Sequence, residues 1–171
     1  MDVFLSHSHA DRKWAEKLRT AFAANGLSFW SAETDLKPGE STFREASRVI
    51  GDTPSLVILV GPEGTIPPDE ARAILDAAWN DAEKRLIPIL LGDARVPTFL
   101  RSAGPVTSMT QAIRVANPRS DWKRAVSDLI QVLKGEAELG DKTVTIDTRK
   151  EDRRLQRERL NYIQRVAAGF K

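Results

Sequence analysis

The sequence predicts an α/β protein in which helices cover both faces of a five-stranded parallel sheet. Short apolar runs alternate with amphipathic stretches of helical length about every 25 to 30 residues, as in chains built from strand–helix–strand units. The run at 56–60, Leu-Val-Ile-Leu-Val, has no polar alternation, which is typical of a strand buried on both faces. Because crossovers of this kind are right-handed, we expect a three-layer flavodoxin-like architecture.

The first half of the chain is predicted to supply the centre of this sheet. The opening run 2–11 changes from apolar to polar residues, as expected at the carboxyl end of a buried strand. Trp14, Leu18 and Phe22 then recur at helical spacing until Asn25-Gly26 ends the helix. The predicted elements are a strand within 2–11, a helix at 10–24, a strand at 27–30, a polar loop with a Pro-Gly turn at 31–41, a helix at 41–50 and the central strand at 56–60.

The second half is predicted to complete the sheet. Pro68 suits the first turn of a helix that runs to about Glu83, with an apolar face formed by Ala71, Ile74, Leu75, Ala78 and Trp79. A fourth strand is expected at 86–91, with Pro88 near an edge or an irregular step. The other predicted elements are a helical turn at 98–102, a weak fifth strand near 106–107, a helix at 120–134 with Trp122, Val126, Leu129, Ile130 and Leu133 on one face, a strand-like run at 143–146 and a basic amphipathic helix at 149–168.

Composition excludes several classes of function. The chain has 171 residues and 41% hydrophobic content, enough for a buried core, but no cysteine and two histidines. A disulfide scaffold, a cysteine nucleophile and a metal site are therefore not expected. No apolar run approaches bilayer-spanning length, and we expect a cytoplasmic protein with no membrane partner. Residues 149–171 carry eight Lys or Arg against three Asp or Glu, so the body is slightly acidic and nucleic-acid binding by it is not indicated.

Four short motifs occur in order within residues 1–136. They are Asp2-Val3-Phe4-Leu5-Ser6-His7, Asp35-Leu36-Lys37-Pro38-Gly39, Val60-Gly61-Pro62-Glu63-Gly64 and Ile87-Pro88-Ile89-Leu90-Leu91. Together they resemble the first box, the BB-loop core, the turn after strand C and strand D of the Toll/interleukin-1 receptor (TIR) domain family in its bacterial branch. We interpret residues 1–136 as a TIR-like domain and 137–171 as a linker strand and a basic helix. That helix either leads to a fused or associated sensor domain or packs on its own domain.

The resemblance implies an enzyme that consumes NAD+. Many bacterial and plant members of the family cleave the bond between nicotinamide and ribose with a glutamate on the helix after strand C. Glu70 matches that position and is the candidate catalytic residue, with Asp76 as the substitute in another register. From the residues alone, a carboxylate in a first helical turn equally suits stabilisation of the helix N-terminus. The family reaction needs no metal and no cofactor, because NAD+ is the substrate.

Five further residues are candidate contacts for NAD+ under the same resemblance. Ser6 and His7, at the end of the first strand, would hydrogen-bond the ribose or the phosphates. Trp30 and Phe43 could stack on the nicotinamide or adenine ring, although an aromatic residue at a strand end is more often part of the core. Lys37 could meet the pyrophosphate or be a solvated loop charge.

The resemblance also implies self-assembly. In the family, activity commonly depends on head-to-tail contacts in which the BB loop of one subunit packs at the active site of the next, and such heterologous contacts produce open filaments. Asp35, Leu36, Lys37, Pro38 and Gly39 are therefore expected to contact other TIR domains. Two functions remain open: an NAD+ glycohydrolase or ADP-ribosyl cyclase of bacterial antiviral immunity, and a non-catalytic TIR–TIR interaction or adaptor module.

Overall fold

A computed structural model describes residues 1–81, 83–101, 111–136 and 144–145, and a single sheet runs through its centre. The strands are β1 (Val3–His7), β2 (Phe29–Trp30), β3 (Ser55–Val60), β4 (Arg85–Leu91), β5 (Gln111–Val115) and β6 (Val144–Thr145). They lie in the order β2-β1-β3-β4-β5-β6. The pairs from β2 to β5 are parallel, whereas β6 is antiparallel to β5. The predicted parallel five-stranded sheet is confirmed, and an antiparallel edge strand extends it.

Helices pack on both faces of the sheet, as predicted. They are α1 (Arg12–Ala24), α2 (Ala32–Asp35), α3 (Thr42–Gly51), α4 (Pro68–Asn80), α5 (Thr98–Arg101) and α6 (Trp122–Leu133). Alternate residues of each central strand enter different apolar clusters: Leu5 and Val57 pack with α1 and α6, while Phe4 and Ile58 pack with α3 and α4. Every residue of β1 and β3 is buried, which explains why their sequences lack polar alternation. Among the described helices, none is long and apolar enough to cross a membrane.

The fold creates a crevice where the carboxyl ends of β1 and β3 meet. These strands are neighbours in the sheet, with Ser6 opposite Ile58 and His7 opposite Leu59. After β1 the chain enters α1 on one face, whereas after β3 it enters α4 on the other face. Connections that leave adjacent strands in opposite directions open a crevice between them, the usual ligand position in doubly wound folds. The polar residues that follow β1 therefore lie at this crevice.

The fifth strand and the surroundings of Pro88 need a more detailed description than the sequence allowed. The fifth parallel strand of the described residues is β5, whereas the strand expected near 106–107 lies outside them. The sequence of β5, Gln-Ala-Ile-Arg-Val, is neither a continuous apolar run nor a strict alternation, so its strand signal is weak. Pro88 lies in an interior strand and not near an edge, but pairing of β4 with β5 begins at Ile89. The missing N–H of Pro88 is tolerated because β4 is paired on one side only at that position.

Three helical predictions need correction. The loop at 31–41 contains the short helix α2, and α4 ends at Asn80 instead of continuing to Glu83. The buried face of α4 includes Glu70, Ala73, Ile74 and Ala78, whereas Ala71 and Leu75 are only partly buried. The helix is thus rotated from the face that apolarity predicts, because a carboxylate occupies one inward position. The predicted helix at 149–168 lies outside the described residues, and the boundary at 136 stays a prediction.

Candidate functional site

The Glu70 carboxylate lies inside the protein at the β1–β3 crevice. Pro67 precedes α4 and Pro68 is its first residue, and Glu70 lies in the first turn with 5% of its surface exposed. The Ser6 hydroxyl, fully buried near the end of β1, donates a hydrogen bond of 2.5 Å to Glu70 Oε2. This length is typical of a hydroxyl bonded to an ionised carboxylate. The bond crosses from helix to strand, which distinguishes this carboxylate from a simple helix cap.

Burial determines the acid–base behaviour of Glu70. The pKa of Glu70 is raised from 4.5 to about 7, chiefly by removal from water. The Ser6 hydrogen bond lowers this pKa, and the negative charge of Glu33 contributes to raising it. Burial dominates because a carboxylate loses more hydration than one hydroxyl replaces. The carboxyl group therefore exchanges its proton near neutral pH, and a cation placed beside it would favour the ionised form.

A second carboxylate, Glu33 on α2, joins the loop at 31–41 to the end of β1. Its oxygens lie 3.2 Å from His7 Nε2, 3.5 Å from His9 Nδ1 and 3.3 Å from Arg12 Nε. The other ring nitrogen of His7, Nδ1, lies 2.8 Å from the Ser8 carbonyl oxygen, so it carries the proton of that bond. Both histidines of the protein therefore surround one carboxylate of the loop, which holds α2 against the crevice.

The loop at 31–41 is locally ordered by its own polar groups. The Ser31 amide donates to Asp35 Oδ2 at 2.8 Å, which closes α2 on itself. Lys37 and Glu40 are joined by a backbone hydrogen bond of 3.1 Å, with Pro38 and Gly39 between them and Gly39 at φ +86°. That geometry is a type II turn, for which Pro and Gly are the favoured central residues. Lys37 is exposed on this turn, so the structure does not bring it into the crevice.

The two aromatic candidates have other packing partners. Trp30 is buried in the core and stacks on Phe4 with ring centroids 5.4 Å apart, an arrangement that favours the core alternative. Phe43, on α3, is partly buried, and the Arg72 guanidinium lies 4.6 Å from its ring centroid. A cation at this distance from a ring face is attracted by the ring quadrupole. Of the two rings, Phe43 is the more accessible.

A third carboxylate, Asp11, lies between β1 and the loop that leads to α4. It is 5% exposed, and its Oδ2 accepts hydrogen bonds from the Ser8 hydroxyl at 2.7 Å and from the Gly61 amide at 2.9 Å. A methyl group at Gly61 or at Gly64 would overlap the Asp11 side chain. The turn from Gly61 to Gly64 therefore fits closely over this carboxylate.

Comparison with known proteins identifies the family. The TIR domain model matches residues 3–130. This chain belongs to the TIR domain family. A search of curated proteins found no significant match.

Solved structures with this fold include other TIR domains. The TIR domain of the Toll-related receptor TRR-2 from Hydra magnipapillata is 18% identical with a TM-score of 0.54, over 76% of this chain and 98% of that one. The TIR-STING receptor from C. gigas is 20% identical with a TM-score of 0.53, over 84% of this chain and 41% of that one. This chain thus spans less than half the length of that receptor. The Flv1 flavodiiron core from Synechocystis sp. PCC6803 is 15% identical with a TM-score of 0.51, over 79% of this chain and 36% of that one. At these identities the likeness concerns the fold alone.

Three residues that shape the site of this TIR domain were not predicted from the sequence: Glu33, Asp11 and Arg72. Glu33 and His7 are far apart in sequence, and no local pattern predicts their pairing. Asp11 reaches Gly61 across 50 residues, although the two glycines in the turn after β3 were a signal of close packing. Arg72 is an exposed residue of α4, and its contact with Phe43 depends on how α3 packs beside α4. Each depends on how the elements pack.

A wider cleft lies beside the crevice, between the loop after β3 and the loop after β4. Its volume is about 650 Å³, and its lining includes Gly61, Gly64, Ile66, Asp93 and Arg95. The Gly61–Gly64 turn borders both this cleft and the Asp11 carboxylate. The position of that turn therefore affects two neighbouring surfaces of the TIR domain.

Proposed function

We propose that this TIR domain cleaves the bond between nicotinamide and ribose in NAD+, as a glycohydrolase or an ADP-ribosyl cyclase. The observation that carries the proposal is the buried Glu70 carboxylate, bonded to Ser6 at the carboxyl ends of β1 and β3. A carboxylate removed from water is costly to the fold. Such a cost is typical of groups retained for chemistry or ligand binding.

The reaction suits an isolated carboxylate. When the bond between C1′ and the pyridinium nitrogen breaks, its electron pair moves onto that nitrogen and nicotinamide leaves as a neutral molecule. Positive charge then develops on C1′ and the ribose ring oxygen, where a nearby carboxylate stabilises it. Water adds to C1′ and loses one proton, which gives ADP-ribose, nicotinamide and H+. In a cyclase, an adenine nitrogen of the same molecule replaces water.

The substrate itself favours the ionised form of Glu70. Burial holds the pKa of this carboxyl at about 7, so part of the free protein is protonated at neutral pH. The positive charge of NAD+ at the nicotinamide ring would lower that pKa on binding. Ser6 would keep the carboxylate oriented, and His7, tied to Glu33, would stand at the ribose side of the crevice.

The test incubates the purified chain at high concentration with NAD+, with and without a crowding agent. Chromatography then measures the nicotinamide released. We expect release by the wild type and a loss of about 100-fold to 1000-fold in kcat for Glu70→Gln. Asp69→Asn, an exposed acid in the same helical turn, is the matched control and should keep its activity. Product analysis distinguishes linear from cyclic ADP-ribose.

The outcomes separate the function from the site. If neither condition yields nicotinamide, the enzyme proposal is wrong and a non-catalytic TIR–TIR interaction module is favoured. If release persists in Glu70→Ala, the reaction stands but the assignment of Glu70 is wrong.

Assembly through the BB loop, defined here as residues 31–41, belongs to the same proposal. The ordered and exposed turn at Lys37–Glu40 supports a role in contacts between copies. We expect Gly39→Arg to lower both light scattering by assemblies and nicotinamide release. Intact assemblies of an inactive variant would contradict this coupling. A cytoplasmic role in bacterial antiviral immunity is the setting in which such an activity is proposed to operate.

A further inference from the structure

Asp11 has the position of a helix cap but does not act as one. It immediately precedes α1, where an aspartate commonly accepts hydrogen bonds from the first amides of the helix. Its side chain makes no such bond. Instead its Oδ2 accepts the Ser8 hydroxyl and the Gly61 amide, and the carboxylate is buried. The side chain thus does not cap α1 but contacts the loop between β3 and α4.

The loop is shaped to receive this carboxylate. Gly61 and Gly64 are joined by a backbone hydrogen bond of 3.3 Å, and a methyl group on either would overlap Asp11. Neither glycine has a positive φ, so backbone strain does not explain them. These positions are glycines because a side chain would occupy the space of the Asp11 carboxylate.

The same strand end holds both ends of the connection to Glu70. Ser6 in β1 bonds Glu70 in the first turn of α4, while Ser8, two residues later, bonds Asp11. Asp11 in turn accepts the amide of Gly61, the first residue of the loop after β3. Between Gly64 and the start of α4 at Pro68 lie three residues. A shift of the turn at Gly61 is therefore transmitted over a short span to Glu70.

We propose that Asp11 is a positioning residue that fixes the Gly61–Gly64 turn and thereby sets the place of the Glu70 carboxylate. The proposal rests on the proposed function for its effect on catalysis. Asp11 bonds the loop and does not touch the substrate. Its loss lets the turn move, and displacement of a reacting group by about 1 Å is enough to lower a rate about 100-fold.

The experiment compares Asp11→Ala, Asp11→Asn and Gly64→Ala with two controls. Asp52→Ala removes an exposed aspartate, and Gly51→Ala adds a methyl group where nothing lies within 4 Å. For Asp11→Ala and Gly64→Ala we expect kcat for nicotinamide release to fall about 100-fold while KM changes less than about threefold. Asp11→Asn should keep most of kcat, because one oxygen accepts both hydrogen bonds and an amide oxygen can replace it. Thermal unfolding identifies any variant that does not fold.

Two measurements without substrate keep the test independent of the enzyme proposal. Hydrogen exchange of the Gly61 amide should accelerate about tenfold or more in Asp11→Ala and stay near the wild-type rate in Asp11→Asn. Carboxyl carbon NMR should show the pKa of Glu70 moving from about 7 toward its ordinary value in Asp11→Ala, because the carboxyl becomes better hydrated.

Unchanged exchange and an unchanged Glu70 titration in folded Asp11→Ala would overturn the positioning role, whether or not the wild type cleaves NAD+. The positioning role would also be overturned if Asp11→Asn lost as much kcat as Asp11→Ala while the Gly61 amide of Asp11→Asn stayed protected from exchange. In that case the negative charge would act on the substrate directly.

Discussion

The two ends of the sheet differ in the charged side chains that they hold and in the partners of those side chains. At the amino end, cations serve backbone carbonyls: Lys84 Nζ donates to Gly51 O at 3.0 Å and Thr53 O at 3.1 Å, and Arg85 donates to Val132 O and Leu133 O at 2.8 and 3.3 Å. These carbonyls belong to or follow the ends of α3 and α6, where positive charge complements the helix dipole. At the carboxyl end, the buried carboxylates of Glu70 and Asp11 are bonded by hydroxyls and an amide.

The charged groups at the amino end stabilise the folded protein, whereas the ionised Glu70 at the carboxyl end destabilises it. Each cation at the amino end donates charge-assisted hydrogen bonds to carbonyls at or just after the end of a helix, so removing it should weaken the fold. Glu70 is less stable ionised in the folded protein than in water, as its raised pKa indicates. The ionised Glu70 therefore lowers stability at neutral pH, which is the pattern expected of a functional group.

The largest expected effect on stability comes from Glu70→Gln. Between its ordinary pKa of 4.5 and about 7, the folded protein keeps a proton on Glu70 that the unfolded chain releases, so stability falls as pH rises through this range. A glutamine at position 70 does not titrate, so it contributes no such dependence of stability on pH. We expect Glu70→Gln to be more stable than the wild type by up to about 3 kcal/mol at pH 8, with little difference at pH 4. Urea unfolding at both pH values measures this, and equal pH dependence in the two proteins would contradict it.

A smaller loss is expected at the amino end. Arg85→Ala removes two charge-assisted hydrogen bonds at the end of α6 and should lower the free energy of unfolding by about 2 kcal/mol. Arg85→Lys should recover part of it. Nicotinamide release by folded Arg85→Ala should match the wild type, since the substitution lies at the other end of the sheet. A marked fall in kcat would show that the two ends are coupled.

The smallest effect concerns Glu33. Its negative charge raises the pKa of Glu70, so Glu33→Gln should lower that pKa by a fraction of a unit, while burial still keeps it above 4.5. The acid limb of kcat/KM would then move to lower pH. Glu16→Gln, an exposed acid paired with Arg12, is the control. A shift toward higher pH would mean that loss of the contacts to His7 and His9 outweighs the charge effect.

The apolar strands were predictable because their burial on both faces leaves continuous runs such as Leu56–Val60. The short β5 was not, since Gln111 and Arg114 leave neither a continuous apolar run nor a strict alternation to mark it as a strand. The rotation of α4 was missed for a related reason: apolarity cannot predict that Glu70 faces inward, and only its bond to Ser6 explains that orientation. Family resemblance selected Glu70, but Asp11 and Glu33 depend on contacts between distant segments.

The close fit of Asp11 beneath the turn after β3 links three positions in the evolution of this domain. Because a methyl group at residue 61 or 64 would occupy the space of the carboxylate, these positions cannot vary independently of residue 11. Among related TIR domains, we expect larger residues at 61 or 64 to occur with a residue smaller than aspartate at 11. An alignment in which all three vary without correlation would show that the loop adapts to side chains in other ways.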